Sequence, residues 1–303
     1  MPQSTVRSPS LCAKPALEQL YGQFDCTTSA ADPVHRVRRY RGRADREVAG
    51  FCAAALAFGR VASVLNSVDA VLGAMGKSPA AFVRRFEPDR DAAGLESLAH
   101  RWTRGIDLIA LVYILRRVLE HAGSIEGFFL EGYRTEADDV GEALESFCTR
   151  ALAFDLGHIY ATHERHGVAY FFPRPSGGSA CKRLNLFLRW MVRQDHVDLG
   201  VWRRVDSSKL IVPLDTHVIR VGQCLGLTRY RSPGWRMAHE ITVSLRAFDS
   251  RDPVKYDFAL CHLSMQNACG FNRRQHDSQC PLRGWCRPGG RRLQRSHRPF
   301  ARR

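Results

Sequence analysis

Apolar residues fall three and four positions apart over most of this chain, the spacing of helices that bury one face. Val48, Phe51, Cys52, Ala55 and Leu56 form such a stripe. The pattern predicts a helix there, with Asp45 as its cap and Gly59 as a point of close packing beyond it. The same spacing predicts helices over 15–24, 61–75, 92–102, 107–122, 124–133 and 140–166. Alternating strand patterns are few, so the expected class is all-α, one two-lobed helical domain with a cleft between the lobes. Residues 1–34 hold Pro2, Pro9, Pro15 and Pro33 and are expected to form a loose lead-in. The domain is then 35–286. Residues 287–303, with seven Arg, two Gly and almost no apolar side chain, are expected to be a disordered basic tail.

Residues 175–226 are the most informative stretch. Pro175-Ser-Gly-Gly-Ser179 reads as a tight turn opening a helix over 180–193, with 150–193 as a helix-hairpin-helix-like element. Leu184, Phe187, Leu188, Met191 and Val192 make its apolar stripe, and helical spacing sets Lys182, Arg189 and Arg193 together on the opposite face. A second helix begins at Asp215, with Val218, Val221 and Leu225 inward and Gly226 at its end.

Charge sharpens the picture. The net charge is +15, which favours a polyanion such as DNA, RNA or an anionic membrane face. A coding bias toward Arg would give the same number without a partner. The 45 basic residues are 40 Arg and five Lys, at 14, 77, 182, 209 and 255. An amine nucleophile must be one of those five, because a guanidinium stays protonated. The N-terminus lacks the apolar run of an export signal, and the longest run free of charged residues and His, 12 residues over 48–59, is too short to span a bilayer. The expected setting is therefore cytoplasmic and nucleoid-associated, with DNA as partner, no membrane and a monomeric chain. The ten Cys then read as reduced thiols or metal ligands rather than disulfides. No Walker loop, dinucleotide fingerprint, zincin motif or nucleophile elbow is present.

The stretch from Gly178 to Arg193, Val197-Asp-Leu-Gly-Val-Trp202, Pro213-Leu-Asp-Thr-His-Val218, Asp252-Pro-Val-Lys-Tyr-Asp-Phe-Ala-Leu260 and Arg46-Glu-Val-Ala-Gly-Phe51 resemble a bacterial family of uncharacterised conserved proteins. More distantly, Leu214-Asp-Thr-His-Val-Ile-Arg-Val221 is similar to the helix start of helix-hairpin-helix DNA glycosylases. The resemblance implies a catalytic Asp, here Asp215, and in bifunctional members a Lys nucleophile after the hairpin, here Lys182. The chain departs from the usual Leu-Pro-Gly-Val-Gly hairpin, and 33 positions separate Lys182 from Asp215, a spacing more like the archaeal 8-oxoguanine glycosylase branch. The resemblance implies a repair glycosylase with lyase activity. A nucleic-acid-binding protein without the chemistry is the alternative, and a metal-dependent enzyme for a small anionic substrate is a third reading.

In that reading Gly177, Gly178, Ser179, Arg189 and Arg193 hold the DNA backbone. Lys182 attacks the sugar, and Asp215 stabilises the charge that develops there while also suiting a helix cap. Lys209 is the competing amine, and His217 reads as a local hydrogen-bonding residue. Cys269-x6-His276-x3-Cys280-x5-Cys286 resembles the C-terminal iron–sulfur loop of endonuclease III-like glycosylases, with His at the second ligand. A 4Fe-4S cluster, zinc on a Cys-His-Cys-Cys set, and metal-free thiols all stay open. Cys261, in an apolar run, is expected to be buried. Trp190, Trp202 and Trp235 are expected in the core or an interface. Residues 36–43 read either as a grip on a nucleic-acid backbone or as a solvated segment before a helix.

Overall fold

The computed structural model of the chain describes residues 11–23, 32–160, 167–265 and 280–285. Those residues contain fourteen α-helices and no β-sheet, so the all-α class holds. The eight helices of nine residues or more are α1 (Arg43–Ala55), α2 (Val61–Met75), α3 (Gly105–Ala122), α4 (Gly141–Leu152), α5 (Lys182–Val192), α6 (Thr216–Cys224), α7 (Trp235–Arg246) and α8 (Asp257–Met265). Among the described residues no helix is long and apolar enough to cross a membrane.

The core is built around α1 and α5. Small side chains let α1 lie against its neighbours, and every residue from Glu47 to Ala55 is buried. A methyl group at Gly50 would sit 2.8 Å from Met191 Cε of α5, so glycine sets how closely these helices approach. Phe51 packs its ring against Phe147, Phe172 and Phe187, joining α1 to α4 and α5. Glu47 is among the acids buried in this core. It accepts from Trp202 Nε1 (2.8 Å) and from the Ile125 amide (3.1 Å). Burial pushes its pKa up, and these donors pull it back.

Three expected elements differ. Asp45 is inside α1 rather than at its cap, because the helix begins at Arg43; its Oδ1 instead accepts from the Ala80 amide at 2.9 Å and ties α1 to the helix Pro79–Arg85. The helix expected over 92–102 is confined to Ala93–Glu96. Beyond it the amides and carbonyls of His100 and Thr103 pair reciprocally at 3.0 and 2.9 Å, which makes a two-residue turn with Arg101 at φ 55°. His100 locks the turn through Ser67 Oγ (2.9 Å) and the Phe58 carbonyl (2.8 Å). The helix expected over 140–166 is α4 and stops at Leu152. Between α4 and α5 lie two 3-10 turns, Gly167–Phe171 and Pro175–Gly177. The first is anchored to α3: Asp107 Oδ1 accepts from Tyr160 Oη at 2.8 Å, and Tyr160 Oη accepts from the Val168 amide at 3.3 Å.

Candidate functional site

The glycine turn expected before Lys182 is present. Gly178 has φ +77°, a left-handed conformation that glycine adopts without strain, and Gly177 and Gly178 are exposed. Cys181 stands at the N-cap of α5 with φ +47°, also left-handed, which costs a non-glycine residue roughly 1 kcal/mol. Ser179 Oγ accepts from the Cys181 amide at 3.1 Å and steadies this kink. The Cys181 thiol donates to the Pro173 carbonyl (3.3 Å), and burial pushes its pKa up to about 12, so it stays a thiol at neutral pH.

The kink sends Lys182 across to α1. Its Nζ donates to the Ala57 carbonyl at 3.0 Å. Here Lys182 forms part of the wall of a cavity of about 620 Å³, with Arg183, Ser179 and Cys181 beside it. The same wall holds three aromatic side chains from separate parts of the chain: Phe58 after α1, Trp102 from the two-residue turn, and Tyr170 from the 3-10 turn. Their centroids are 5.1 Å apart for Phe58–Trp102, 5.3 Å for Phe58–Tyr170 and 5.2 Å for Trp102–Tyr170. Trp102 is 56% exposed and Tyr170 38%, so two large aromatic faces meet solvent at this cavity. Among the described residues no Asp or Glu lines the cavity.

Asp215 caps α6. Its Oδ1 accepts from the amides of His217 (2.9 Å) and Val218 (2.8 Å), as its place before a helix predicted. The other oxygen accepts from Cys261 Sγ at 3.4 Å, across the contact between α6 and α8. Burial raises the Cys261 thiol well above its ordinary pKa; the negative charges of Asp215 and Asp257 add to this, and Lys182 opposes it. Asp215 is not among the residues that line the cavity with Lys182. Cys261 itself is half-buried rather than buried.

A family described as "Protein of unknown function (DUF2400)" has a sequence model that matches residues 32–266. The chain belongs to that family. No curated protein and no solved structure matches it. The matched region holds the whole cavity, Lys182 and Asp215, and it ends before Cys269, His276, Cys280 and Cys286.

The expected phosphate-binding face of α5 is not formed. Arg189 and Arg193 are only 2% and 4% exposed. Arg189 pairs with Asp198 at 3.1 Å and with Asp257, and Arg193 pairs with Asp252 (2.8 Å), Asp195 (2.9 Å) and Asp198. Helical spacing did set the two Arg on one face, but carboxylates from the following loop and from α8 cover it. Their guanidiniums are engaged within the protein rather than presented to solvent. The segment 36–43 is also largely engaged within the fold. Arg36 and Arg39 pair with Asp69, Arg43 pairs with Glu126, and Arg38 donates to the Val197 carbonyl at 2.5 Å.

Lys209, the competing amine, donates to the carbonyls of Ala137 (2.8 Å) and Thr135 and does not line the cavity. His217 Nδ1 lies 3.2 Å from Ser264 Oγ, a local contact as expected. Trp190 and Trp202 are in the core, and Trp235 packs against it. The aromatic residues that sequence reasoning missed are Phe58, Tyr170 and Trp102, the most exposed of the three. The signal for Trp102 was the basic–aromatic run Arg101-Trp102-Thr103-Arg104, hidden by assigning Trp102 to a helix end. Of the expected metal ligands, Cys280 is buried, and Cys269, His276 and Cys286 lie outside the described residues. The described residues hold no group of three or more His, Cys, Asp or Glu placed to bind a metal ion.

Proposed function

We propose that this chain is a DNA-repair glycosylase with lyase activity that uses Lys182 as nucleophile and Asp215 as charge partner. The observation that carries this reading is the position of Lys182, which lines a cavity together with Phe58, Trp102 and Tyr170. A base turned out of a duplex needs an aromatic-walled pocket of this kind, and unpairing costs least for a damaged base. In the chemical step the neutral amine forms a bond to C1′ of the deoxyribose. The glycosidic bond breaks, its electron pair leaves with the base, and the base takes up a proton. The bound amine gives up a proton, and ring opening, in which the C1′–O4′ bond breaks and O4′ takes up a proton, then gives an iminium between Lys182 and the sugar. Asp215 stabilises the positive charge that develops on the sugar.

The test is borohydride trapping of the purified protein on oligonucleotides with an abasic site or an oxidised purine. Hydride reduces the iminium to a stable secondary amine, so a covalent adduct is expected. Its absence on every lesion tested would leave a binding protein on this fold.

The same reading fixes where phosphates are held. Arg60, Arg101, Arg104 and Arg174 are exposed and flank the lining residues Phe58, Trp102 and Pro173 in the chain. With Lys182 they supply about five phosphate contacts, so log K for duplex DNA should fall against log[salt] with a slope of roughly −4 to −5. Converting Arg60, Arg104 and Arg174 together to Gln should bring the slope to about −2. A slope near zero for the unmodified protein would count against a nucleic-acid partner.

A further inference from the structure

Arg183 is 7% exposed, so its charge has been taken almost wholly out of water. Such a charge is ordinarily paired with a carboxylate. Here Nη1 donates to the Ala55 carbonyl at 3.0 Å and Nη2 donates to the Tyr170 carbonyl, and no ion pair to an acid is seen for it among the described residues. The guanidinium also stacks over the rings of Tyr170 (3.8 Å) and Phe58 (5.1 Å). These carbonyls and ring faces compensate it only in part, and burial pulls its pKa down to about 10. Two of its five N–H groups are thus accounted for, and it lines the cavity. Lys182, beside it, is held by a carbonyl rather than an acid. Both belong to the first turn of α5, whose amides and dipole also favour an anion. The cavity wall therefore carries positive charge that carbonyls and ring faces compensate only in part, directly beside the aromatic residues Phe58, Trp102 and Tyr170.

We propose that this cavity binds a nucleotide as one unit, with the ring stacked on the exposed side of the aromatic cluster, chiefly on Trp102, and the phosphate on Arg183 at the first turn of α5. The proposal deepens the glycosylase reading and rests on it for taking the ring to be a nucleobase. Aromatic walls alone would accept a nucleoside. The partly compensated cation makes the phosphate part of what is recognised, and it distinguishes this site from a pocket that reads only a base. Two sources carry the same chemistry: a free nucleoside monophosphate and a nucleotide within a strand.

Isothermal titration of the full chain tests this with deoxyguanosine 5′-monophosphate, deoxyguanosine, inorganic phosphate and a single-stranded dodecamer. The monophosphate should bind at least ten-fold more tightly than either the nucleoside or phosphate. Trp102→Ala, at a site exposed enough to leave folding intact, should weaken the monophosphate at least ten-fold and leave phosphate binding unchanged. Arg183→Gln should abolish the preference for monophosphate over nucleoside, with circular dichroism checking that the variant folds. Displacement of the monophosphate by the dodecamer assigns the strand as source, and failure to displace it assigns the free nucleotide. Equal binding of monophosphate and nucleoside, or no effect of Trp102→Ala, overturns the proposal. Monophosphate binding without a borohydride adduct would sink the glycosylase reading and leave this one standing; an adduct without monophosphate binding would do the reverse.

Discussion

Lys182→Ala should abolish the borohydride adduct while changing duplex affinity by only a few-fold. The two effects separate because the amine has two kinds of role. As a nucleophile it is irreplaceable, since alanine offers no lone pair to attack C1′. As a cation it is one of about five phosphate contacts, and the loss of one leaves most of the counterion release in place. Loss of adduct together with loss of all binding would point to misfolding rather than chemistry. Asp215→Asn provides the second arm. Asn caps a helix about as well as Asp, so α6 should keep its first turn and stability should change little. The negative charge is gone, however, and base release should slow by about two orders of magnitude, the scale of removing one charge-stabilising group. An adduct that survives Lys182→Ala and disappears with Lys209→Ala would move the site to the carbonyls of Thr135 and Ala137 and keep the reaction class.

Much of this arrangement was legible in the sequence. Asp215 as a helix cap could be read directly, because the preference is local: the side chain meets amides two and three residues on. The glycine turn before Lys182 was equally local, and Gly178 adopts the expected left-handed conformation. The apolar stripe of 61–75 gave helix α2 its bounds for the same reason. What was not legible is what tertiary packing decides. Spacing alone showed Arg189 and Arg193 sharing a face, but not that Asp198 and Asp257 would cover it. Both acids stand in the sequence, nine positions after Arg189 and one residue before Phe258, and only the fold brings them together. Trp102 was misplaced because 92–102 has helical spacing, and the turn that lifts it out is held by His100, Ser67 and Phe58, which no local rule connects. Arg183 looked like one of 40 arginines, and that it pairs with no acid among the described residues can be seen only with its neighbours in place.

Arg189→Met should cost about 3–5 kcal/mol of stability, the range for breaking a buried ion pair from one side. The network explains why the loss is so large. Two guanidiniums, Arg189 and Arg193, serve four carboxylates: Asp195, Asp198, Asp252 and Asp257. Burial works against charge on both Arg, but the surrounding carboxylates outweigh it and hold them protonated. Negative charge is in excess, so the least supported acid should give up its charge first. Asp195 and Asp252 keep side-chain exposures of 11% and 28%, whereas Asp198 and Asp257 are at 0% and 4%. Asp198 touches both Arg and Asp257 touches one, and burial pushes Asp257 up to about 7 from an ordinary 3.8. The folded state therefore keeps a proton on Asp257 that the unfolded chain has released. That contribution is complete below pH 3.8 and is lost as pH rises to about 7, so stability should decline across this window on account of Asp257. Asp257→Asn should flatten the decline and cost far less than Arg189→Met, because it removes the charge that the network supports least. Combining the two should recover part of the loss, since Arg189→Met then leaves one fewer uncompensated carboxylate. Urea unfolding of the single and double variants at pH 5 and pH 8 measures all of this. A loss below about 1 kcal/mol for Arg189→Met would show that water reaches these acids and that the face of α5 opens to solvent after all.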